Sequence, residues 1–139
     1  MKRASAALAV CAATSLGLVV TSPDASAVGP CPGADGVTVV VDFGAFGGDV
    51  QVGCAPGNPR SGYDALVGAG FAVEGALRSP SFLCRIDGLP GAAQDPCIMP
   101  PPATAYWSYW IADRGGDWCY SDTGMYGREP VPGTVEGWS

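Results

Sequence analysis

Ala105-Tyr106-Trp107-Ser108-Tyr109-Trp110-Ile111-Ala112-Asp113-Arg114-Gly115-Gly116-Asp117-Trp118-Cys119-Tyr120 carries three of the chain's five tyrosines and three of its four tryptophans. Tyr, Trp and Ile favour pleated backbone, and Asp113-Arg114-Gly115-Gly116 supplies residues that tolerate the positive φ of a tight turn. The stretch therefore reads as a β-hairpin. In an extended strand Trp107, Tyr109 and Ile111 point to one side and Tyr106, Ser108 and Trp110 to the other, which makes both faces aromatic. A strand lying on the core of a small domain needs only one apolar face. The second is either covered within the domain, by a helix or by long loops, or it remains as a binding surface, for which Tyr and Trp bring large contact area at little rotamer cost.

Outward from this hairpin the chain alternates in the same way. Val37, Val39, Val41 and Phe43 share one face of a strand, and after a Gly-rich turn Val50, Val52 and Cys54 repeat the pattern, so the two segments predict an antiparallel hairpin. Pro56 to Pro59 interrupt the sheet, and Ser61-Gly62-Tyr63-Asp64 offers the Ser61 hydroxyl to the amide of Asp64 as a helix cap. A short helix follows through Ala65, Leu66, Val67 and Ala69 and stops at Gly70, which suits a left-handed cap. Phe71 and Val73 lead back to the sheet, Phe82, Cys84 and Ile86 alternate in a further strand, and a Pro-rich loop from Gly91 to Thr104 approaches the aromatic hairpin. Val135-Glu136-Gly137-Trp138 closes the sheet after a turn at Pro132-Gly133. These elements predict an α+β domain, a mixed sheet with one short helix.

The first residues have a different character. Met1-Lys2-Arg3 is basic, Ala4 to Val20 is apolar and uncharged, and Ala25-Ser26-Ala27 offers the small residues of a cleavage site. This predicts a signal peptide over 1–27 and an exported domain over 28–139, with no membrane span in the mature form. Cys11 lacks the small preceding residue of a lipid-attachment site, so no lipid anchor is expected there. Thirteen acidic residues face seven basic ones across the whole chain, for a net charge of −6. Such a chain lacks the positive patch that nucleic acid or anionic lipid would require.

Beyond the leader the cysteines are Cys31, Cys54, Cys84, Cys97 and Cys119. A small exported domain commonly offsets a limited core with disulfides. Cys31 precedes and Cys54 ends the first hairpin, while Cys84 and Cys97 flank a Gly/Pro loop, so Cys31–Cys54 and Cys84–Cys97 are the expected pairs. Cys119 remains as a free thiol, either a buried inert one or a site of intermolecular bridging. With no histidine and no Cys-x-x-Cys spacing, no metal site is expected.

The segments Ser61 to Leu66 with Ala69-Gly70-Phe71, Phe82 to Gly88, Tyr106 to Trp110, and Pro132 to Trp138 resemble the DUF4430 family. That family is similar to the C-terminal domain of transcobalamin and intrinsic factor, a soluble-ligand-binding β-grasp. The resemblance covers nearly all of 28–139. It implies a β-grasp fold and a non-catalytic module that closes over a corrinoid held by a second domain. By position it implies that the strand Tyr106 to Trp110 and the loop Asp122 to Tyr126 lie beside the ligand, with contacts from Tyr106, Trp107, Tyr109 and Trp110 and from Thr123, Gly124, Met125 and Tyr126, and with Trp118 completing the aromatic surface. This chain has neither the helical domain nor a histidine to ligate cobalt, so it supplies half of such a pocket. Where the resemblance leads one to expect Thr, it has Cys119.

No catalytic residue is expected. An enzyme needs a poised base or nucleophile, and beyond the leader there is neither histidine nor lysine. Asp113, Asp117 and Asp122 could serve a glycosidase or hold calcium, but acids among glycines are ordinary turn formers. The expectations are therefore a secreted module for a planar ligand such as a corrinoid, acting with a secreted or surface partner protein, or alternatively an extracellular protein-interaction or structural module.

Overall fold

The computed structural model describes residues 27–139. The signal peptide expected over 1–27, with the question of Cys11, lies outside the described residues except at Ala27. No helix among the described residues is long and apolar enough to cross a membrane.

The described residues form eight strands, one α-helix and a short 3-10 helix at Gly44–Phe46: β1 (Ala27–Val28), β2 (Val37–Asp42), β3 (Val50–Ala55), α1 (Gly62–Gly68), β4 (Val73–Ala76), β5 (Ser79–Ile86), β6 (Tyr109–Ala112), β7 (Cys119–Tyr120) and β8 (Val135–Trp138). Six of the strands form a mixed sheet in the order β1-β3-β2-β8-β6-β7. The last strand, β8, lies parallel to β2 at the centre, and every other pairing in the sheet is antiparallel.

Val37, Val39 and Val41 are fully buried on the helix-covered face of β2. Their register partners on β3 are Ala55, Gly53 and Gln51. The alternation of Val50, Val52 and Cys54 thus belongs to the opposite face of the sheet from Val37, Val39 and Val41, within the expected antiparallel hairpin. Close helix packing is the reason: a Cβ on Gly53 would lie 2.4 Å from the Ala69 carbonyl oxygen, so the core face of β3 has no room for valine. Cys54 is instead bonded to Cys31 on that outer face, with Cα atoms 4.7 Å apart.

A departure from the expected sheet concerns the segment after the helix. β4 and β5 pair with each other as a separate two-stranded sheet and do not join the main one. The pairing shifts register around Gly75, and Leu83 is buried while Phe82 is left 54% exposed, against the simple alternation of Phe82, Cys84 and Ile86. Irregular pairing of this kind re-aims side chains. The Cys84–Cys97 disulfide, with Cα atoms 5.8 Å apart, fastens the following loop to this hairpin. Arg85 adds bonds from Nε to the Pro90 carbonyl at 2.7 Å and from Nη2 to the Asp95 carbonyl at 2.5 Å.

Helix α1 begins and ends as its sequence dictates. The Asp64 amide donates to Ser61 Oγ at 3.0 Å. At the other end Gly70 takes φ +98°, its amide donates to the Val67 carbonyl, and the Phe71 amide donates to the Leu66 carbonyl. That pair of bonds is a Schellman closure, and buried Leu66 and Phe71 supply its apolar contact. Gly70→Ala forces an L-residue into left-handed backbone and is expected to cost about 1 kcal/mol. Urea unfolding of the oxidised protein checks this, and a change below the error of the midpoint would contradict it.

Candidate functional site

The aromatic hairpin is shorter than its sequence suggests. β6 starts at Tyr109, opposite Trp138 of β8, and Ser108 and Ser139 next to that pair exchange backbone bonds at 2.8 and 3.1 Å. Trp107 turns into the core, its ring edge-on to Phe43 at 5.5 Å, and its indole N–H donates to the Leu89 carbonyl at 3.2 Å. Tyr106 stays exposed, and its hydroxyl shares a 2.9 Å hydrogen bond with that of Tyr120. This bond holds the Tyr120 phenol above its ordinary pKa.

Tyr109 and Trp138, opposite each other on β6 and β8, stack with ring centroids 4.2 Å apart and planes 4° from parallel. Beside the stack Glu136 is entirely buried. Its Oε1 accepts from the Tyr109 hydroxyl at 2.5 Å and from Arg128 Nη1 at 2.7 Å, while Glu136 Oε2 and the Trp138 indole N–H have no protein partner. Burial raises the Glu136 pKa, and the Tyr109 hydroxyl and the Arg128 guanidinium pull against that rise. Burial, reinforced by the Glu136 charge, drives the Tyr109 phenol far above its normal range.

Over this base opens a groove of about 620 Å³. Seven of the nine expected ligand-contact residues line it: Tyr106, Trp107, Tyr109, Thr123, Gly124, Met125 and Tyr126. Two segments distant in sequence are brought together here. The loop after β7 is held by Ser121, whose hydroxyl donates to the Thr123 carbonyl at 3.1 Å, and by the Tyr63 amide of α1, which donates to the Met125 carbonyl at 2.9 Å. Met125 is thereby sunk into the core, and Tyr126 lies stacked on Tyr63 with centroids 5.2 Å apart. The Tyr126 phenol is raised by partial burial and by neighbouring Tyr63 and Asp64.

The remaining two expected residues, Trp110 and Trp118, do not reach this groove. They sit on the outer face of the sheet and line a separate cavity of about 330 Å³ with Val40, Asp42 and Val50. Gly137 makes room for Trp118, since a Cβ there would lie 2.8 Å from Trp118 Cζ3. The expected binding set is thus divided between two cavities, with Trp138 lining both.

Contributors to the groove that sequence reading did not assign to it are Ser81, Phe82 and Leu83 from β5, and Trp138. Phe82 alternates with buried Cys84 and Ile86 but is exposed, and nothing local in the sequence marks the separate hairpin that exposes it. Of the three clustered acids only Asp122 lines the groove, and Asp113 instead accepts the Gly116 amide through its carbonyl at 2.9 Å in the β6–β7 turn. Cys119 is exposed on edge strand β7 and forms no disulfide among the described residues, which corrects the buried-thiol alternative. Cys84, Asp95 and Cys97 lie close together, but the two sulfurs are bonded to each other and the Asp95 carboxylate accepts the Cys97 amide at 2.7 Å, so the group has no thiolate to offer a metal. No family profile, curated protein or solved structure matches the chain.

Proposed function

We propose that this is an exported, non-catalytic ligand-binding domain of β-grasp type, related to the DUF4430 and transcobalamin C-terminal domains, that offers one aromatic wall to a ligand. The carrying observation is the groove of about 620 Å³ in which exposed Tyr106 and Tyr126 meet buried Trp107, Tyr109 and Met125. Its size is that of a small-molecule site. The central parallel pair of β2 and β8 beside a single helix agrees with the β-grasp reading. An open groove leaves the far side of a ligand uncovered, which suits a flat molecule such as a corrinoid sandwiched against a secreted or surface partner. The acid–base inventory favours binding over catalysis, since Asp122 is the groove's one carboxylate.

Equilibrium dialysis against cyanocobalamin tests the corrinoid. Saturable uptake, weakened about tenfold by Tyr106→Ala and by Tyr126→Ala, is expected for residues at the centre of a contact. Uptake insensitive to both changes, or none at all, removes the corrinoid from the proposal.

A second reading rests on the other face. Trp118 is 47% exposed and Val50 56% exposed beside Trp110, an apolar outer surface suited to a protein partner. Under this reading Trp118→Ala abolishes capture of a partner from culture supernatant while leaving the unfolding midpoint in place.

A further inference from the structure

The groove is charged with one sign only. Its exposed aromatic wall is made by Phe82, Tyr106, Tyr120 and Tyr126, its one carboxylate is Asp122, and no arginine lines it. The nearest guanidinium in sequence, Arg128, is committed to buried Glu136 at 2.7 Å. Arg85, which follows the β5 residues of the wall, is committed to Glu74 at 2.7 Å. The chain as a whole carries a net charge of −6. Aromatic faces are the negative pole of the ring quadrupole, and several of them beside a carboxylate attract a weakly hydrated cation far better than an anion.

We propose that the groove takes a free organic cation bearing an alkylated ammonium group, held against this aromatic wall with Asp122 as counter-charge. The proposal rests on the ligand-binding reading above but puts a small cation in the groove in place of the corrinoid. A free solute fits better than a phosphocholine headgroup, because no basic side chain lines the groove to meet a phosphate.

Choline and its uncharged carbon isostere, dimethylbutanol, are titrated into the isotope-labelled, disulfide-intact protein, and the amide shifts of Tyr120 to Gly127 are followed. Choline is expected to saturate these shifts with about tenfold higher affinity than the alcohol, and Asp122→Asn is expected to weaken choline about fivefold while leaving the alcohol unchanged. Equal affinity of the two solutes, or choline binding indifferent to Asp122→Asn, overturns the cation and leaves the groove as a site for neutral ligands. Silence towards both solutes overturns the cation, and it overturns the ligand-binding reading as well only if cyanocobalamin also fails to bind. Co-sedimentation with phosphatidylcholine vesicles at the affinity measured for choline overturns the assignment to a free solute.

Discussion

Arg128→Ala is expected to destabilise the fold by about 3–5 kcal/mol near neutral pH, because it leaves the fully buried Glu136 carboxylate without its cation. The Tyr109 hydroxyl remains as a donor, but one neutral hydrogen bond does not offset the burial of a charge. The loss depends on pH in a defined direction. Burial holds the Glu136 pKa above its ordinary 4.5, so the unfolded chain surrenders this proton at lower pH than the folded one. Stability from this group is therefore complete below that ordinary value and falls as pH climbs through the raised one. Removing Arg128 takes away a force that lowers the pKa, so the fall continues to higher pH. Urea unfolding at about pH 7 and about pH 4 checks this: the cost shrinks at the lower pH as the carboxyl takes up its proton. Glu136→Gln in the Arg128→Ala background should recover much of the loss at neutral pH. An equal cost at both pH values would show that Arg128 acts through packing of its stem instead. At the alkaline end the Tyr109 phenol keeps its proton past the point where the unfolded chain ionises, near 10.0, so stability declines again above that pH.

Removing the Cys31–Cys54 disulfide as Cys31→Ala with Cys54→Ala is expected to cost about 3 kcal/mol, the loop-closure entropy of a bridge of this span. The bridge joins residues separated by 23 positions and covers the outer face of β2 beside Thr38. Cys31 is also a hub: its amide donates to Thr38 Oγ1 at 3.1 Å and its carbonyl accepts from Arg114 Nη2 at 2.7 Å. Loosening it therefore releases the turn between β6 and β7 as well as the sheet edge. Thermal unfolding measures the total, and amide exchange at Val28, Gly53 and Arg114 shows where it is felt. A cost below about 1 kcal/mol, with exchange unchanged at Arg114, would refute the role of the bridge as a clamp on both ends.

Much of this architecture is legible in the chain because it rests on local rules. The cap at Ser61, the left-handed stop at Gly70, the strand of Val37, Val39 and Val41 and the closing strand at Val135 to Trp138 are each dictated by residues within a few positions of one another. Tyr106, Trp107 and Tyr109 share a groove with the Thr123 to Tyr126 loop, a juxtaposition that depends on where the loop after β7 is held. Legibility ends where a partner decides. Val50 and Val52 look identical to core valines, and only the approach of Ala69 to Gly53 assigns their face. Phe82 alternates like a buried residue, but its strand pairs irregularly with β4 away from the main sheet.

Residue order alone settles where the backbone must turn, cap and extend, since backbone preferences and side-chain period act over a handful of residues. Which aromatic ring is core and which is surface is decided only when the chain is assembled. Trp107 and Trp110 are three positions apart with the same side chain, and one is packed on Phe43 while the other lines an outer cavity. Burial belongs to what arrives against a ring: Trp107 meets Phe43 and Phe46, whereas Trp110 faces a cavity on the outer side of the sheet.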